Sequence, residues 1–232
     1  MRMVGPLAVV PLMLLGLAAC GTSSNHVQTS ANSRADHVSA VTSASHEACQ
    51  HAKEPAPRAP QHVPRPTSSL DPAKRYVVTL ATNCGAIAIQ LDVKRAPKTT
   101  ASFAYLVRRG FYNDLTFHRV AANFVIQGGD PNGDGSGGPG YTIVEAPPAS
   151  LQYTRGTVAM AKTATDPAGA SGSQFFIVTA QQTELPPQYA LVGNVVGSMA
   201  GVNAISKLAT SPPQDGQPIH PVVISQATLS ES

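Results

Sequence analysis

The chain has 232 residues, enough for one domain with extensions or for two small domains. Charged residues make up 12%, the net charge is +3, and no basic run is interleaved with aromatics, so nucleic-acid binding finds no support. Glycine and proline number 19 and 20, which assigns much of the chain to turns and connecting segments.

The first 20 residues stand apart. Arg2 precedes the apolar run MVGPLAVVPLMLLGLAAC, which Gly5, Pro6, Pro11 and Gly16 interrupt. A run this short and broken reads as an export signal over residues 1–19, not as a membrane-spanning helix. It ends in LAAC, small residues directly before a cysteine, and so resembles the bacterial lipobox. That resemblance implies a lipid on Cys20 and a protein anchored to the extracytoplasmic face of the cell membrane. The alternative is an ordinary signal peptide with a coincidental cysteine.

Residues 20–73 are rich in Ser, Thr, Ala, His and Pro and carry no apolar periodicity. The stretch KEPAPRAPQHVPRPTSSLDP is too proline-dense for a helix or a central strand, and too polar to offset its chain entropy by burial. It is expected to be a flexible tether. Within it, HEACQH brings His46, Cys49 and His51 together, a combination that suits zinc or copper. No second cluster at ligand spacing follows, so no metal is expected. Cys49 and Cys84 are the two thiols left after lipidation. They either pair in the oxidising exterior, or Cys84 is a lone thiol in a turn.

From residue 74 a folded domain is expected, extending to 232. RYVVTLATNCGAIAIQL reads as two strands around a turn ending at Gly85. APKTTASFAYLVRRG reads as a helix, with Pro97 in its first turn, Gly110 just past its end, and Phe103, Leu106 and Val107 on one stripe. Short strand candidates follow in TFHRV, NFVIQG, GTVAMA, SQFFIVT, YALVGNVV and PVVISQA, with a second helix in MAGVNAISKL. Many short strands with two helices predict an all-β class with helical caps, an antiparallel barrel.

The usual catalytic constellations are missing from this domain. Its histidines are His118 and His220, and neither a G-x-S-x-G elbow nor an H-E-x-x-H pair occurs. Ser173 has no evident histidine partner, and His118 is expected to be a hydrogen-bonded structural residue. The glycine run DPNGDGSGGPGY places Asp130, Asn132, Asp134 and Gly135 like the start of a calcium loop, but Tyr141 stands where the bidentate Glu is needed. No G-K-[ST] follows, so it is not a phosphate loop. A tight turn of glycines and Asx residues remains.

The segments FHRVAANFVIQGGDPNGDGSGGPGY and GTVAMAK…GSQFFIVT resemble the two signature regions of the cyclophilin family of peptidyl-prolyl cis–trans isomerases, and the resemblance extends over about residues 76–228. It implies an eight-stranded antiparallel β-barrel closed by two α-helices, prolyl isomerisation, no cofactor, and proline-containing peptides and unfolded proteins as partners of a monomer. Arg119 matches the catalytic arginine. Phe124, Val125 and Gln127 match the segment lining the proline site. Ala161, Lys162 and Thr163 match an edge strand that pairs with substrate backbone. Gln174 and Phe176 match the second signature, Gly135 matches a glycine beside a secondary pocket, and Tyr189 stands where the family has histidine or tyrosine. Leu185 replaces the tryptophan of the best-known eukaryotic members, a major cyclosporin contact, so tight binding of that drug does not carry over.

Strand alternation adds an independent expectation. Gln174 and Phe176 should face one side of their strand and Phe175 and Ile177 the other, and Val125 and Gln127 should lie together, so that Gln127 can steady Arg119. Two readings stay open beside an isomerase of exported proteins: a proline-binding or chaperone module with incidental catalysis, and a scaffold within an envelope complex.

Overall fold

The computed structural model describes residues 49–59, 61–210 and 215–232. The export signal, Cys20 and His46 lie outside the described residues. The described chain contains β1 (Tyr76–Thr82), β2 (Gly85–Leu91), α1 (Pro97–Arg108), β3 (Leu115–Thr116), β4 (Arg119–Ala121), β5 (Val125–Gly128), β6 (Ile143–Val144), β7 (Thr157–Met160), β8 (Ala170–Ser171), β9 (Phe175–Val178), β10 (Leu191–Val196), α2 (Ala200–Ser206), β11 (Asp215–Gly216) and β12 (Val223–Glu231).

Ten strands form one antiparallel sheet in the order β11-β4-β5-β9-β7-β10-β2-β1-β12-β3, and β6 pairs with β8. The sheet curls into a half-barrel, and an antiparallel bridge from Thr116 in β3 to Asp130 just beyond β5 draws its two sides together. Among the described residues eight strands have three or more residues, and four short ones (β3, β6, β8 and β11) supplement them. TFHRV does not form one strand: it breaks at Phe117 and His118 into β3 and β4.

The β1–β2 hairpin closes between Thr82 and Gly85, and its alternate residues Val78, Leu80, Ile87 and Ile89 are fully buried. Helix α1 buries Phe103, Leu106 and Val107 against the barrel. It stops at Gly110, whose φ of +66° is a left-handed conformation that favours glycine. There the Phe111 N–H donates to the Leu106 carbonyl and the Gly110 N–H to that of Val107, the double bond of a Schellman cap.

Two apolar clusters lie on opposite faces of β5, β7 and β9. The larger holds Phe103, Tyr112, Phe117 and Phe175 beneath the helices, with ring centroids 5.0–5.7 Å apart in tilted and edge-on pairs. The smaller holds Val125, Tyr153, Phe176 and Val178, with Phe124, Leu185 and Tyr189 at its margin. Side-chain alternation is the cause: Phe175 and Ile177 point into the large cluster, Phe176 and Val178 into the small one.

The expectation of a free tether over 20–73 is corrected from Cys49 onward. Cys49 is disulfide-bonded to Cys84, so it is no metal ligand, and the proline-rich segment that follows lies on the barrel. Backbone bonds tie Gln50 to Asn83, Arg58 to Pro131 and Val63 to Pro139, and Leu70 is buried. Sequence pattern missed this because the segment docks through its backbone and two arginines rather than through an apolar stripe.

Gly129 shows how tightly the core closes. Its φ is +85°, and an added Cβ would stand 2.7 Å from the Ser173 carbonyl and 2.9 Å from the Phe175 ring. Gly129→Ala is expected to lower stability by about 1–3 kcal/mol in urea unfolding, through strain and overpacking.

Candidate active site

Arg119, Phe124, Val125, Gln127, Ala161, Lys162, Phe176, Leu185 and Tyr189 surround one cavity of about 130 Å³. Sheet register builds it. Arg119 in β4 stands opposite Gln127 in β5, and Gln127 stands opposite Phe176 in β9. Two side chains of one hairpin and a third from a distant strand are thus neighbours. Phe124 reaches the rim from the β4–β5 turn, where Asn123 takes φ +53°, a left-handed angle that Asn tolerates better than most residues.

The floor is aromatic. The Phe176 ring meets Tyr189 edge-on at 5.4 Å and Tyr153 at 6.2 Å. Tyr153, which the sequence pattern does not single out, fixes Tyr189: its hydroxyl donates to the Tyr189 carbonyl at 2.7 Å and accepts from the Tyr189 N–H at 2.9 Å. Burial pushes the Tyr153 phenol up to about 12, so it stays neutral and serves both bonds.

The charged wall is one arginine held from two sides. Arg119 Nη1 donates to Gln127 Oε1 at 3.1 Å. Its Nε and Nη2 donate to the two carboxylate oxygens of Asp215 at 2.7 and 2.8 Å. Of the guanidinium's five N–H groups, these partners engage three, which among the described residues leaves one on each Nη. Asp215 is the second residue missed by sequence reasoning. It lies 96 positions from Arg119, and β11 brings it there by pairing Asp215 with Ala121 and Gly216 with Val120.

The remaining expected residues, Gly135, Thr163 and Gln174, line a neighbouring cavity of about 450 Å³ that shares Gln127, Ala161 and Lys162 with the first. Gln174 joins the two: Gln127 Nε2 donates to Gln174 Oε1 at 3.1 Å, and Gln174 Nε2 donates to the carbonyls of Gly135 and Gly137 at 2.8 and 3.0 Å. Residues 161–163 are not an edge strand. β7 ends at Met160, and Asp166 takes both the N–H and the hydroxyl of Thr163, turning the chain away. Lys162 caps that turn through the carbonyls of Thr163 and Asp166 and lies 5.7 Å from the Tyr189 ring centroid.

The Asx residues of the glycine loop serve its own backbone. Buried Asp130 accepts the N–H groups of Asn132 and Asp134 at 2.9 and 3.0 Å, an internal turn device. Ser173 donates to the Gly129 carbonyl. His118 is half-buried, and its Nδ1 has no hydrogen-bond partner among the described residues, which corrects the expectation of a hydrogen-bonded histidine. Desolvation lowers its pKa, so it carries no charge near neutral pH.

This chemistry suits a reaction in which charge is redistributed and no bond is broken: a fixed cationic donor faces a small apolar cavity. The chain matches the family described as "Cyclophilin type peptidyl-prolyl cis-trans isomerase/CLD" over residues 77–229. It is 37% identical over 156 residues to a peptidyl-prolyl cis-trans isomerase of Helicobacter pylori, covering 67% of this chain and 90% of that one. It is likewise 37% identical over 177 residues to peptidyl-prolyl cis-trans isomerase A of Mycobacterium tuberculosis, covering 68% and 94%. Among solved structures, a cyclophilin-type isomerase of Cryptosporidium parvum determined in the presence of the dipeptide Ala-Pro superposes with a TM-score of 0.61 at 28% identity, covering 66% of this chain and 98% of that one.

The Arg119–Asp215 pair gives a pH prediction. The hydrogen bond from Arg119 is the largest cause holding the Asp215 carboxyl below its usual range. A depressed folded-state pKa keeps the pair intact above the ordinary carboxylate value of about 3.9 and breaks it only as pH falls through the lower one. Isomerase activity should therefore stay level down through about pH 4. Asp215→Asn should lose about two- to fivefold in kcat/KM at neutral pH, the scale of a part-exposed ion pair, and lose the acid limb. A variant matching wild type at every pH would contradict this.

Proposed function

The chain belongs to the cyclophilin-type peptidyl-prolyl cis–trans isomerases, and from that premise we propose how its residues catalyse the reaction and where it acts. Rotation about a peptide bond meets a barrier of about 18–20 kcal/mol because the nitrogen lone pair is delocalised, and uncatalysed X-Pro exchange takes tens to hundreds of seconds. In the twisted transition state that lone pair localises on the imide nitrogen. A donor fixed beside it binds the twisted form better than either planar one.

Arg119 supplies that donor. The observation that carries the assignment is the fork of Arg119, steadied by Gln127 and Asp215 while bordering the cavity that Phe124, Phe176 and Leu185 make apolar. Arginine stays charged at every relevant pH, so no proton has to move. The proline ring fills the apolar cavity, and the twisted amide, less polar at its carbonyl, meets less opposition there than in water. Gln127 positions the fork, and Gln174 positions Gln127. Residues farther from the proline, on one side of it, run past Ala161 and Lys162 into the larger cavity.

A charge-assisted hydrogen bond contributes about 1.5–3 kcal/mol, roughly one to two decades of rate. Arg119→Ala is expected to lower kcat/KM for cis–trans exchange in an X-Pro peptide by about ten- to a hundredfold with peptide binding largely kept. Unaltered exchange in that variant would remove Arg119 from the mechanism and favour a proline-binding module.

The substrates are exported proteins that need X-Pro isomerisation to fold, and the enzyme meets them at the outer face of the cell membrane, held by a lipid on Cys20. The apolar leader and LAAC before Cys20 support this location, as does the Cys49–Cys84 disulfide, which persists in oxidising compartments. Cys20→Ala should move the protein from the membrane to the soluble fraction of cells. Membrane retention in that variant would overturn the anchor.

A further inference from the structure

The glycine loop between Asp130 and Thr142 has two sides, and only the inner one belongs to the site described above. It carries glycine at 133, 135, 137, 138 and 140, the residue that loses most conformational freedom on ordering. Its inner side is held by Gln174 and Asp130. Its two ends are held on the outer side by Arg58, Gln61, Val63 and Arg65, which lie outside the stretch matching the family.

The contacts of that segment fall on the loop and its base. The Arg58 N–H donates to the Pro131 carbonyl at 2.9 Å and the Val63 N–H to that of Pro139 at 2.8 Å. Arg65 Nη2 donates to the Thr142 carbonyl at 2.8 Å. The Arg58 guanidinium bridges the carbonyls of Phe111 and Asn113 beneath. Gly140 packs so closely that an added Cβ would stand 2.5 Å from the Gln61 carbonyl oxygen. Of the loop residues gripped here, Pro139, Gly140 and Thr142 also line the 450 Å³ cavity. Cys49 ties the start of the segment to Cys84, and buried Leu70 fixes its end. Pro55, Pro57, Pro64 and Pro66 favour an extended chain before docking, so little entropy is lost when it binds.

We propose that residues 49–59 and 61–70 are a strap that positions the glycine loop and so sets recognition of peptide residues that reach beyond the proline. The segment is a working part of the substrate site as well as a route to the membrane, and Arg58 and Arg65 are its positioning residues. The inference rests on the isomerase reading of the two cavities.

The test uses the full chain carrying Arg58→Ala with Arg65→Ala, assayed on two X-Pro peptides. One, of about four residues, fills the proline cavity alone; the other, of about ten residues and roughly 33–36 Å when extended, spans both cavities. The expected result is a rise in KM of about three- to tenfold for the long peptide, with kcat kept and the short peptide unchanged. Amides of residues 133–140 should also exchange hydrogen faster while those of β1 and β2 stay protected. Reducing the Cys49–Cys84 disulfide in the wild-type chain should move both readouts the same way. Equal losses on both peptides, or no loss on either, would overturn the strap's role while leaving the isomerase standing. Failure of the wild-type chain to catalyse exchange in either peptide would instead remove the reading on which it rests.

Discussion

The structure turns on one guanidinium that is kept still without being used up. An arginine side chain free in water samples many rotamers, and a catalytic donor that must find its position each time spends binding energy on its own ordering. Here Gln127 takes one N–H and the Asp215 carboxylate takes two, from opposite sides. The planar fork is oriented while, among the described residues, one N–H on each Nη has no partner. Asp215 also offsets part of the positive charge.

The same logic of holding from two sides recurs across the site. Tyr189 is anchored by both its N–H and its carbonyl on one phenol. Gln127 passes a hydrogen bond to Gln174, and Gln174 passes two more to the glycine loop. The chain of contacts runs continuously from Asp215 to Gly137, so the small cavity and the large one are joined by polar contacts as well as by shared walls. A polar network of this kind is worthwhile only when each member is satisfied, and its amides and carboxylate all have partners.

Much of the molecule was legible in the sequence where the signal is local. Proline at the start of α1 and glycine at its end set the helix bounds, and the β1–β2 hairpin follows from two alternating runs around Gly85. Alternation in SQFFIVT correctly divided Phe175 from Phe176 between two apolar clusters. What failed was also physically specific. Residues 161–163 read as a strand, yet Asp166 offers Thr163 a side-chain partner that competes with the sheet. Residues 49–70 read as a spacer, since a segment that docks through backbone carbonyls and arginine forks leaves no hydrophobic period to detect.

Composition and order of residues determined that this chain would form short antiparallel strands with two helices. Pattern along a chain encodes burial and turn geometry, which are near-neighbour properties. Only the tertiary structure decided that Asp215 meets Arg119, that Tyr153 props Tyr189, and that the proline-rich segment meets the two ends of the glycine loop. Each of these joins residues separated by dozens of positions through a few hydrogen bonds, and such a pairing leaves no periodic trace in sequence because any polar residue brought to that point by the curl of the sheet could have served.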